Sequence, residues 1–522
     1  MSDAPDLRPD LAEARERRFA TTDSARPDVV AGRHAAGRRT ARENVLELCD
    51  EGSFVEYGAF AIAAQRGRRE LAELVARTPA DGLVAGLGRV NSEVLDGGRS
   101  RCAVLSYDYT VLAGTQGVMG HRKKDRLFEV IERLRLPTVF FTEGGGGRPG
   151  DTDQAMVAGL DTMAFALWAR LSGVVPRVGV ASGRCFAGNA ALLGCCDIII
   201  ATPDATIGMG GPAMIEGGGL GVVAAEEVGP FDVQIGNGVV DVAAADDADA
   251  VRLARQAVSY FQGAVTSWEA PDAAALRSVV PENRRRAYDV HRAIDGVVDT
   301  GSLLELRQRF ARGMVTALAR IEGRPLGVVA NNPMHLGGAI TGEGAGKAAR
   351  FLQLCEAFGL PVLFLCDTPG FMVGPDAERG AQVRHCSRLF LAGAALTVPY
   401  MTVVLRKGYG LGAQAMAGGS FHANLMTASW PTGEFGGMGL EGAVRLGFRR
   451  ELEAAGSDDE RTALFDNMVA AAYENGKALN MAAHFEIDDV IDPADTRELV
   501  ASVILREPPP RPAPRPRFVD AW

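Results

Sequence analysis

Thr138-Val-Phe-Phe141 is followed by Glu143-Gly-Gly-Gly-Gly147-Arg148, and 224 positions later Val362-Leu-Phe-Leu365 is followed by Asp367-Thr-Pro-Gly370-Phe371. Each stretch is a short apolar run that meets an acidic residue and then a turn containing glycine. An apolar run of this length predicts a strand buried on both faces, as in a parallel sheet. The recurrence predicts that one α/β unit occurs twice in the chain.

The repetition extends on both sides of these strands. At the same offset, Lys123-Lys-Asp-Arg-Leu127 matches Lys347-Ala-Ala-Arg-Phe351, the strand Val178-Gly-Val180 matches Thr402-Val-Val404, and the turn Ala187-Gly188 matches Leu411-Gly412. Further along, Pro203-Asp-Ala-Thr-Ile207-Gly208 pairs with Pro431-Thr-Gly-Glu-Phe435-Gly436 at an offset of 228, which one insertion of four residues explains. The repeats cover residues 80–215 and 315–440, with the alternation of strands and helices that right-handed βα crossovers require.

The length of 522 residues exceeds what one hydrophobic core accommodates and therefore predicts two or more domains. We predict an arm at 1–45, an N-terminal domain at 46–285, a C-terminal domain at 286–505 and a tail at 506–522. Thr40-Ala-Arg-Glu43 has the spacing of a capping box and predicts a helix through Leu48. The charged stretch Pro281-Glu-Asn-Arg-Arg-Arg286 is the predicted linker, and the alternating proline and arginine of Pro508–Pro516 predict an extended tail.

Composition narrows the class of protein. A net charge of -10 argues against a nucleic-acid-binding protein, which needs a basic face. None of the eight cysteines forms a Cys-x-x-Cys pair, and the seven histidines lack metal-ligand spacing, so we expect reduced thiols and no metal site. The N-terminus lacks the apolar segment of a signal peptide, and no apolar stretch reaches the roughly 18 residues of a membrane span. These features predict a cytoplasmic protein.

The paired glycine turns are the strongest indication of chemistry. A buried strand that ends in glycines at the start of a helix leaves backbone N–H groups without acceptors inside the helix, and such groups stabilise developing negative charge. For any one turn, a purely structural role as a tight βα connection explains the glycines equally well. Their recurrence at the same place in both copies favours two oxyanion-binding sites.

Other motifs are missing or incomplete. Gly346-Lys347 lacks the flanking residues of a phosphate-binding loop, and the sequence contains no Gly-x-Gly-x-x-Gly, Gly-x-Ser-x-Gly or His-Glu-x-x-His. Glu226-Glu227 and Glu434 could act as acid–base carboxylates, although exposed surface positions explain them as well. Serine hydrolases, zinc proteases and nucleotide-triphosphate enzymes are therefore not supported.

Several longer motifs extend the pattern, and they are Gly37-Arg-Arg-Thr-Ala-Arg-Glu43, Asp50-Glu-Gly-Ser-Phe-Val-Glu56, Gly327-Val-Val-Ala-Asn331-Asn-Pro333-Met, Arg406-Lys407-Gly-Tyr409-Gly410, Trp430-Pro431-Thr432 and Met438-Gly-Leu-Glu441-Gly442-Ala443. With the two strand–turn stretches, they make nearly the whole chain resemble the carboxyltransferase (beta) subunits of biotin-dependent propionyl-, acetyl- and methylcrotonyl-CoA carboxylases. The resemblance implies an α/β fold of two tandem crotonase-like ββα superhelix domains.

The resemblance also implies a reaction and its residues. A carboxyl group would pass from carboxybiotin to the α-carbon, or a vinylogous γ-carbon, of an acyl-CoA through an enolate. The implied roles are the enolate site at Gly145, Gly146 and Gly147, the biotin site at Gly410, Leu411 and Gly412, the coenzyme A channel at Gly183, Phe186, Ala187 and Gly188, and selection of biotin or acyl group by Phe371, Tyr409, Ala413 and Gln414. Acyl-CoA would bind the N-terminal domain and biotin the C-terminal one, with active sites shared between protomers of a dimer-based hexamer.

Two departures from the family pattern concern specificity. The usual Asp-Ser-Gly-Gly-Ala-Arg is Glu143-Gly-Gly-Gly-Gly-Arg148 here, and Ala413-Gln414 replaces a pair that often begins with tyrosine, which favours a longer or branched acyl chain. None of the five lysines lies next to methionine, as a biotin-accepting lysine usually does, so biotin is expected on a partner that carries the biotin carboxylase and carrier domains. The alternatives are a decarboxylase or transcarboxylase subunit, a crotonase-type hydratase or isomerase, and a non-catalytic assembly subunit.

Overall fold

The computed structural model describes residues 8–95, 98–148, 150–153, 160–506 and 518–522. The chain forms two compact units, Met1–Gly263 with Ala521, and Ala264–Asp520 with Trp522. We call them unit 1 and unit 2, and each is described by itself. Within the described ranges, every helix is too short or too polar to span a bilayer.

Unit 1 is built around a seven-stranded sheet whose helices connect parallel strands. Its strands are β1 Val55–Glu56, β2 Leu83–Arg89, β3 Arg101–Tyr107, β4 Thr138–Phe141, β5 Arg177–Ala181, β6 Arg184–Phe186, β7 Ile198–Ala201, β8 Thr206–Gly208 and β9 Val242–Ala243. Its helices are α1 Pro9–Phe19, α2 Pro27–Ala35, α3 Ala41–Leu48, α4 Leu71–Arg77, α5 Val118–Leu134, α6 Ala164–Arg170, α7 Gly188–Gly194, α8 Pro212–Gly217, α9 Phe231–Gly236 and α10 Asp247–Ser259.

The sheet order in unit 1 is β1-β2-β3-β4-β5-β7-β9, and β6 pairs with β8 beside it. The first three strands are antiparallel, and the strands from β3 onward run parallel. All residues of β4, β5 and β7 are buried, as their largely apolar sequences predict. Helix α5 packs its apolar side on this sheet through Leu127, Phe128 and Ile131.

Unit 2 repeats this plan. Its strands are β10 Leu304–Leu306, β11 Met314–Ile321, β12 Arg324–Asn331, β13 Val362–Thr368, β14 Tyr400–Tyr409, β15 Thr427–Ser429, β16 Glu434–Gly436 and β17 Asp489–Val490. Its helices are α11 His291–Asp295, α12 Gly342–Phe358, α13 Pro375–Arg379, α14 Gln382–Ala394, α15 Gly410–Ala415, α16 Leu440–Gly447, α17 Arg449–Glu453, α18 Asp458–Asn475, α19 Ala478–Ala483 and α20 Thr496–Val500. The sheet order is β10-β11-β12-β13-β14-β15-β17, with β16 paired to β14.

The division between the units lies at Gly263 and Ala264, before the charged stretch predicted as the linker. The backbone N–H of Val265 donates to the carbonyl of Gly323 at 3.0 Å, and Leu276 and Val279 are buried in the core of unit 2. Residues 281–286 therefore lie inside unit 2. This division differs from the predicted domain boundary at 285/286, because a charged surface loop resembles a linker in composition.

The strand registers also correct the alignment of the two copies. In unit 1, Thr138 of β4 pairs with Arg177 of β5, and in unit 2 Val362 of β13 pairs with Tyr400 of β14. From β5 to the start of α7 the offset is therefore 223 and not 224, so Ala187 corresponds to Gly410 and Gly188 to Leu411. The offset of 228 between β8 and β16 then corresponds to an insertion of five residues and not four. A one-residue shift is invisible in the sequence because both faces of these strands are buried and the apolar pattern is continuous.

The described part of the arm at 1–45 contains α1, α2 and the start of α3, joined by turns. The predicted capping box is confirmed, since Thr40 accepts from the Glu43 N–H and Glu43 accepts from the Thr40 N–H. The proline- and arginine-rich stretch 508–516 lies outside the described residues. All eight cysteines are free thiols.

Candidate active-site loops

In unit 1, the chain leaves β4 and forms a glycine loop between two neighbouring segments. Gly144 pairs with Cys185 of β6, and Gly147 pairs with Gln116 on the other side. The Phe186 N–H donates to the Gly144 carbonyl at 3.0 Å, and the Gln116 N–H donates to the Gly146 carbonyl at 2.7 Å. The loop is thus held in position by backbone hydrogen bonds on both sides.

The N–H groups of the glycines predicted to bind the enolate differ in whether they donate to a protein acceptor. The Gly145 N–H donates to the Ala113 carbonyl at 3.1 Å, and the Gly146 N–H donates to Asn189 Oδ1 at 3.2 Å. Within the described residues, neither the Gly147 N–H nor the N–H of Gly188, at the start of α7, donates to a protein acceptor. Gly147 and Gly188 therefore supply the N–H groups of this loop that remain available to a ligand.

The backbone conformation and close packing at position 146 require glycine. Its φ is +91°, and a Cβ there would lie 2.7 Å from the Cβ of Ala187. The close approach brings the glycine loop against the turn that precedes α7. Gly146 is therefore the position where any side chain would separate these two segments.

The residues predicted for the coenzyme A channel line the same turn. Gly183 and Phe186 are buried, while Ala187 and Gly188 are partly exposed. Ala187 has φ +50° and ψ -119°, a conformation that L-residues rarely adopt. Such strain in a turn next to an exposed N–H group is typical of functional sites.

Two arginines, Arg148 and Arg33, form three ion pairs beside the glycine loop of unit 1. Arg148 contacts Asp81 at 2.7 Å and Asp151 at 3.0 Å, and burial raises the pKa of Asp81 against the opposing effect of Arg148. Glu143 pairs with Arg33 at 2.7 Å, and burial raises the pKa of this carboxyl as well. Both acids are neutralised by arginine and fix the loop.

In unit 2 the equivalent loop follows β13. The Ile340 N–H donates to the Gly370 carbonyl at 3.0 Å, and the Gly370 N–H donates to Thr368 Oγ1 at 3.1 Å. The N–H groups of Phe371 and Leu411 have no protein acceptor in the part of the chain that the structure describes. These are the counterparts of Gly147 and Gly188 in unit 1.

The predicted biotin-site glycines surround Leu411. Gly410 has φ +56°, and a Cβ at Gly412 would lie 2.6 Å from the Cα of Gly370. The Tyr409 hydroxyl donates to Glu434 Oε2 at 2.9 Å, and burial raises the pKa of Glu434. Ala413 is buried, whereas Leu411 and Gln414 are exposed. The loop of unit 2 therefore brings Phe371 and residues 410–412 together.

A buried ion pair lies behind this loop. Asp367 is fully buried and contacts Arg406 at 3.0 Å, and the Lys407 N–H donates to the same carboxylate at 3.2 Å. The Asp367 N–H in turn donates to Asn331 Oδ1 at 3.2 Å. The predicted motif residues Asp367, Arg406 and Asn331 thus hold the strand end in place.

An α/β unit in which a strand end and a helix start together present free N–H groups has the donors needed to stabilise an oxyanion. The comparison with known families makes the class specific. Residues 32–507 match the carboxyl transferase domain, and the chain belongs to this family. Both units have the crotonase-like fold, and the chain is a carboxyltransferase of the acyl-CoA carboxylase type, which confirms the predicted family and class.

Individual relatives agree with this family assignment. The methylmalonyl-CoA carboxyltransferase 12S subunit of Propionibacterium freudenreichii subsp. shermanii is 34% identical, with 91% of this chain and 90% of that protein covered. The biotin-dependent long chain acyl-coenzyme A carboxylase beta4 subunit of Mycobacterium tuberculosis is 30% identical over 94% and 92%. A solved single-chain, multi-domain long-chain acyl-CoA carboxylase is 61% identical with a TM-score of 0.91; it covers 95% of this chain, which spans 49% of that chain.

A solved transcarboxylase 12S structure, described as a hexamer with methylmalonyl-coenzyme A bound, matches with a TM-score of 0.84 and 31% identity over the full length of both chains. The fold of this chain is thus shared by a single-chain, multi-domain carboxylase and by a transcarboxylase 12S protein.

Proposed function

We propose that unit 1 stabilises the enolate of an acyl-CoA thioester through the N–H groups of Gly147 and Gly188. The observation that carries this proposal is that these two N–H groups lack protein acceptors within the described residues while their neighbours Gly145 and Gly146 are engaged. Donors that are fixed before the reaction stabilise developing charge without reorganisation. Gly145 and Gly146 shape the loop, and Gly183, Phe186 and Ala187 form the wall along which coenzyme A binds.

Unit 2 binds the ureido group of biotin in the same way. The N–H groups of Phe371 and Leu411 suit the ureido oxygen, and Gly410 and Gly412 leave the space that a Cβ would fill. Tyr409, Ala413 and Gln414 lie around this loop and contribute to selection of biotin or the acyl group. A carboxylated biotin supplies the carboxyl group and, after its loss, a basic nitrogen for the α-proton of the acyl group.

Under this proposal the residues of the chain position the two substrates and do not exchange protons with them. The loop of unit 1 holds the thioester oxygen while charge builds on it, and the loop of unit 2 holds the ureido oxygen. Glu434 is already hydrogen-bonded to Tyr409, and Glu143 to Arg33. Neither acid is required as a general base.

The acyl chain is proposed to be long. The support is 61% identity to the solved long-chain acyl-CoA carboxylase, a level well above the 34% shared with the methylmalonyl-CoA enzyme. The biotin is proposed to reach the site on a carrier domain with its own biotin carboxylase, and the chain to assemble as a dimer-based hexamer. The eight free thiols support a reducing, cytoplasmic location.

A second candidate is transfer in the opposite direction, as a transcarboxylase or decarboxylase component. Its support is the 34% identity to the methylmalonyl-CoA carboxyltransferase 12S subunit over nine-tenths of both chains. The residues and the geometry are the same for either direction. Only the partners differ.

The test is the reverse half-reaction. The purified chain, mixed with free biotin, is expected to decarboxylate a 2-carboxyacyl-CoA with a long chain faster than malonyl-CoA or methylmalonyl-CoA. Gly146→Ala and Gly412→Ala should each lower kcat by about 100-fold or more, because they displace N–H donors. Gly194→Ala in α7 is the matched control, since a Cβ there meets nothing within 4 Å. Biotin-dependent turnover that survives both blocked glycines would refute the proposal.

A further inference from the structure

A buried lysine lies behind the glycine loop of unit 1. Lys124 in α5 is fully buried, and its Nζ donates to Gln116 Oε1. Within the described residues, no carboxylate forms an ion pair with this ammonium group. A buried cation that is bound only by a neutral amide is costly to maintain, and such a group usually has a function.

Gln116 connects the lysine to the loop. Its Nε2 donates to Asn189 Oδ1 at 3.0 Å, and the same oxygen accepts the Gly146 N–H at 3.2 Å. Asn189 Nδ2 donates to the carbonyls of Gly114 and Thr142 at 3.3 and 3.2 Å. Asn189 is thus fully hydrogen-bonded, and a continuous chain of hydrogen bonds leads from the ammonium group to the loop.

The side chain of Gln116 also lies beside Gly188, which has the second free N–H group. A Cβ at Gly188 would lie 2.9 Å from Gln116 Nε2 and 3.2 Å from Phe165 Cζ. The ammonium group of Lys124 lies 5.8 Å from the centre of the same Phe165 ring. The side chains of Gln116 and Phe165 therefore contact both the lysine and the turn at Gly188.

Unit 2 shows that the fold does not need these three side chains. At the corresponding positions it has Ile340 for Gln116, Ala348 for Lys124 and, at the corrected offset, Gly412 for Asn189. The loop of unit 2 still pairs Ile340 with Phe371 as Gln116 pairs with Gly147 in unit 1. The three polar residues thus belong to what unit 1 does and not to how the loop folds.

The charges around Lys124 leave its protonation sensitive to pH. Burial lowers the pKa of Lys124 to about 7, and Asp125 and Asp81 oppose this shift. Asp81 is itself paired with Arg148. The remaining groups facing the lysine are uncharged at neutral pH, because burial lowers the pKa of His121 to about 3 and raises that of Tyr107 far above its usual value.

We propose that Lys124 is a positioning residue for the carboxyl transfer, acting through Gln116 and Asn189 to hold the glycine loop and to favour negative charge at its N–H groups. The inference rests on the proposed function of unit 1. The relay, by which we mean the hydrogen-bonded residues Lys124, Gln116 and Asn189, serves the enolate step alone, because the biotin-binding unit lacks all three residues.

The test is the pH dependence of the biotin-dependent decarboxylation. In the wild type, kcat should fall as the pH rises from 6 to 9, since the ammonium group loses its proton. Lys124→Met should lower kcat at pH 6 by about tenfold, less than the loss of a direct donor, and should abolish this fall, with KM for the acyl-CoA within about twofold. Gln116→Glu gives the lysine a carboxylate partner and raises its pKa, so the remaining fall should move to higher pH, while kcat should drop because the second carboxylate oxygen cannot donate to Asn189 Oδ1.

Lys123→Met is the matched control. Lys123 is the neighbouring buried lysine, it donates to the carbonyls of Ala80 and Leu83, and unit 2 has the same lysine at Lys347. Its loss should lower the unfolding temperature and leave the shape of the pH profile unchanged. An unaltered profile in Lys124→Met with normal wild-type turnover would overturn this inference alone. Absence of biotin-dependent turnover in the wild type would overturn the proposed function and the inference with it.

Discussion

The two glycine loops have the same shape and are stabilised differently. In unit 1 the loop is fixed by side chains that reach into it, chiefly Asn189 and Arg148. In unit 2 the loop is fixed by its own Thr368 and by close backbone contact between Gly412 and Gly370. The comparison teaches that the fold requires only the strand end, the glycine and the helix start. The side chains around them are free to differ with the group that is bound.

The acids that follow β4 and β13 differ in burial. In unit 1 this acid is Glu143, which pairs with Arg33, and the two side chains are 13% and 14% exposed. Unit 2 places one acid, Asp367, entirely out of solvent against Arg406, which is 3% exposed. A fully buried pair is strongly destabilised when one partner is removed, because the remaining charge stays buried. The two acids at equivalent positions should therefore differ in their effect on stability.

The largest expected effect follows from this difference. Asp367→Asn should destabilise the protein by about 3–5 kcal/mol, since Arg406 would be left without its carboxylate. Glu143→Gln at the equivalent position of unit 1 should cost about 1 kcal/mol, because its partner Arg33 retains contact with water. Denaturant unfolding of the two variants measures both. Equal losses would contradict the contrast between the units.

A second contrast concerns the residue before each exposed N–H group. Ala187 in unit 1 and Gly410 in unit 2 both have positive φ, and only glycine adopts this conformation without strain. Ala187→Gly should therefore stabilise unit 1 by up to about 1 kcal/mol. Gly410→Ala should destabilise by about 2 kcal/mol, because its Cβ would also lie 2.7 Å from the Gly437 carbonyl.

Thermal unfolding of both variants measures these two effects. Leu411, which an offset of 224 would pair with Ala187, has no positive φ. Stabilisation by Ala187→Gly together with a loss in Gly410→Ala is the expected outcome. Destabilisation by both would indicate that the methyl group of Ala187 contributes packing that outweighs the strain.

Much of this architecture was accessible from the sequence because it depends on local pattern. The strand Thr138–Phe141, the capping box at Thr40 and the doubling of the α/β unit follow from apolar runs, spacing and repetition. The unit boundary was not accessible, because the composition of residues 281–286 does not distinguish a linker from a surface loop of unit 2.

The glycine loops were predicted, but their available N–H groups were not. Whether the N–H groups of Gly145 and Gly146 are free depends on the carbonyl of Ala113 and the side chain of Asn189, which only the tertiary structure brings near. A comparison of the two copies would have revealed the relay, since a buried lysine and two amides stand where unit 2 has Ile340, Ala348 and Gly412. That comparison needed the correct offset, which the continuous apolar strands conceal.

The smallest expected effect compares one histidine of each unit. His291 in unit 2 bonds Glu305 at 2.9 Å and Asp289 at 2.6 Å, and these acids raise its pKa to about 9. The stability that His291 contributes is therefore fully present below its unfolded pKa of about 6.5 and is lost as the pH rises through 9. His291→Gln should cost about 1–2 kcal/mol at pH 6, after allowance for partial solvent screening, and nearly nothing at pH 10.

His121 in unit 1 should respond in the opposite direction. Burial lowers its pKa to about 3, so the folded protein holds it neutral and loses stability as the pH falls from 6.5 towards 3. His121→Gln removes that penalty, and its stability relative to the wild type should improve as the pH is lowered. Unfolding curves at pH 4.5, 6 and 9 for both variants give two slopes of opposite sign. Slopes of the same sign would mean that the environments of the two histidines do not differ as their contacts indicate.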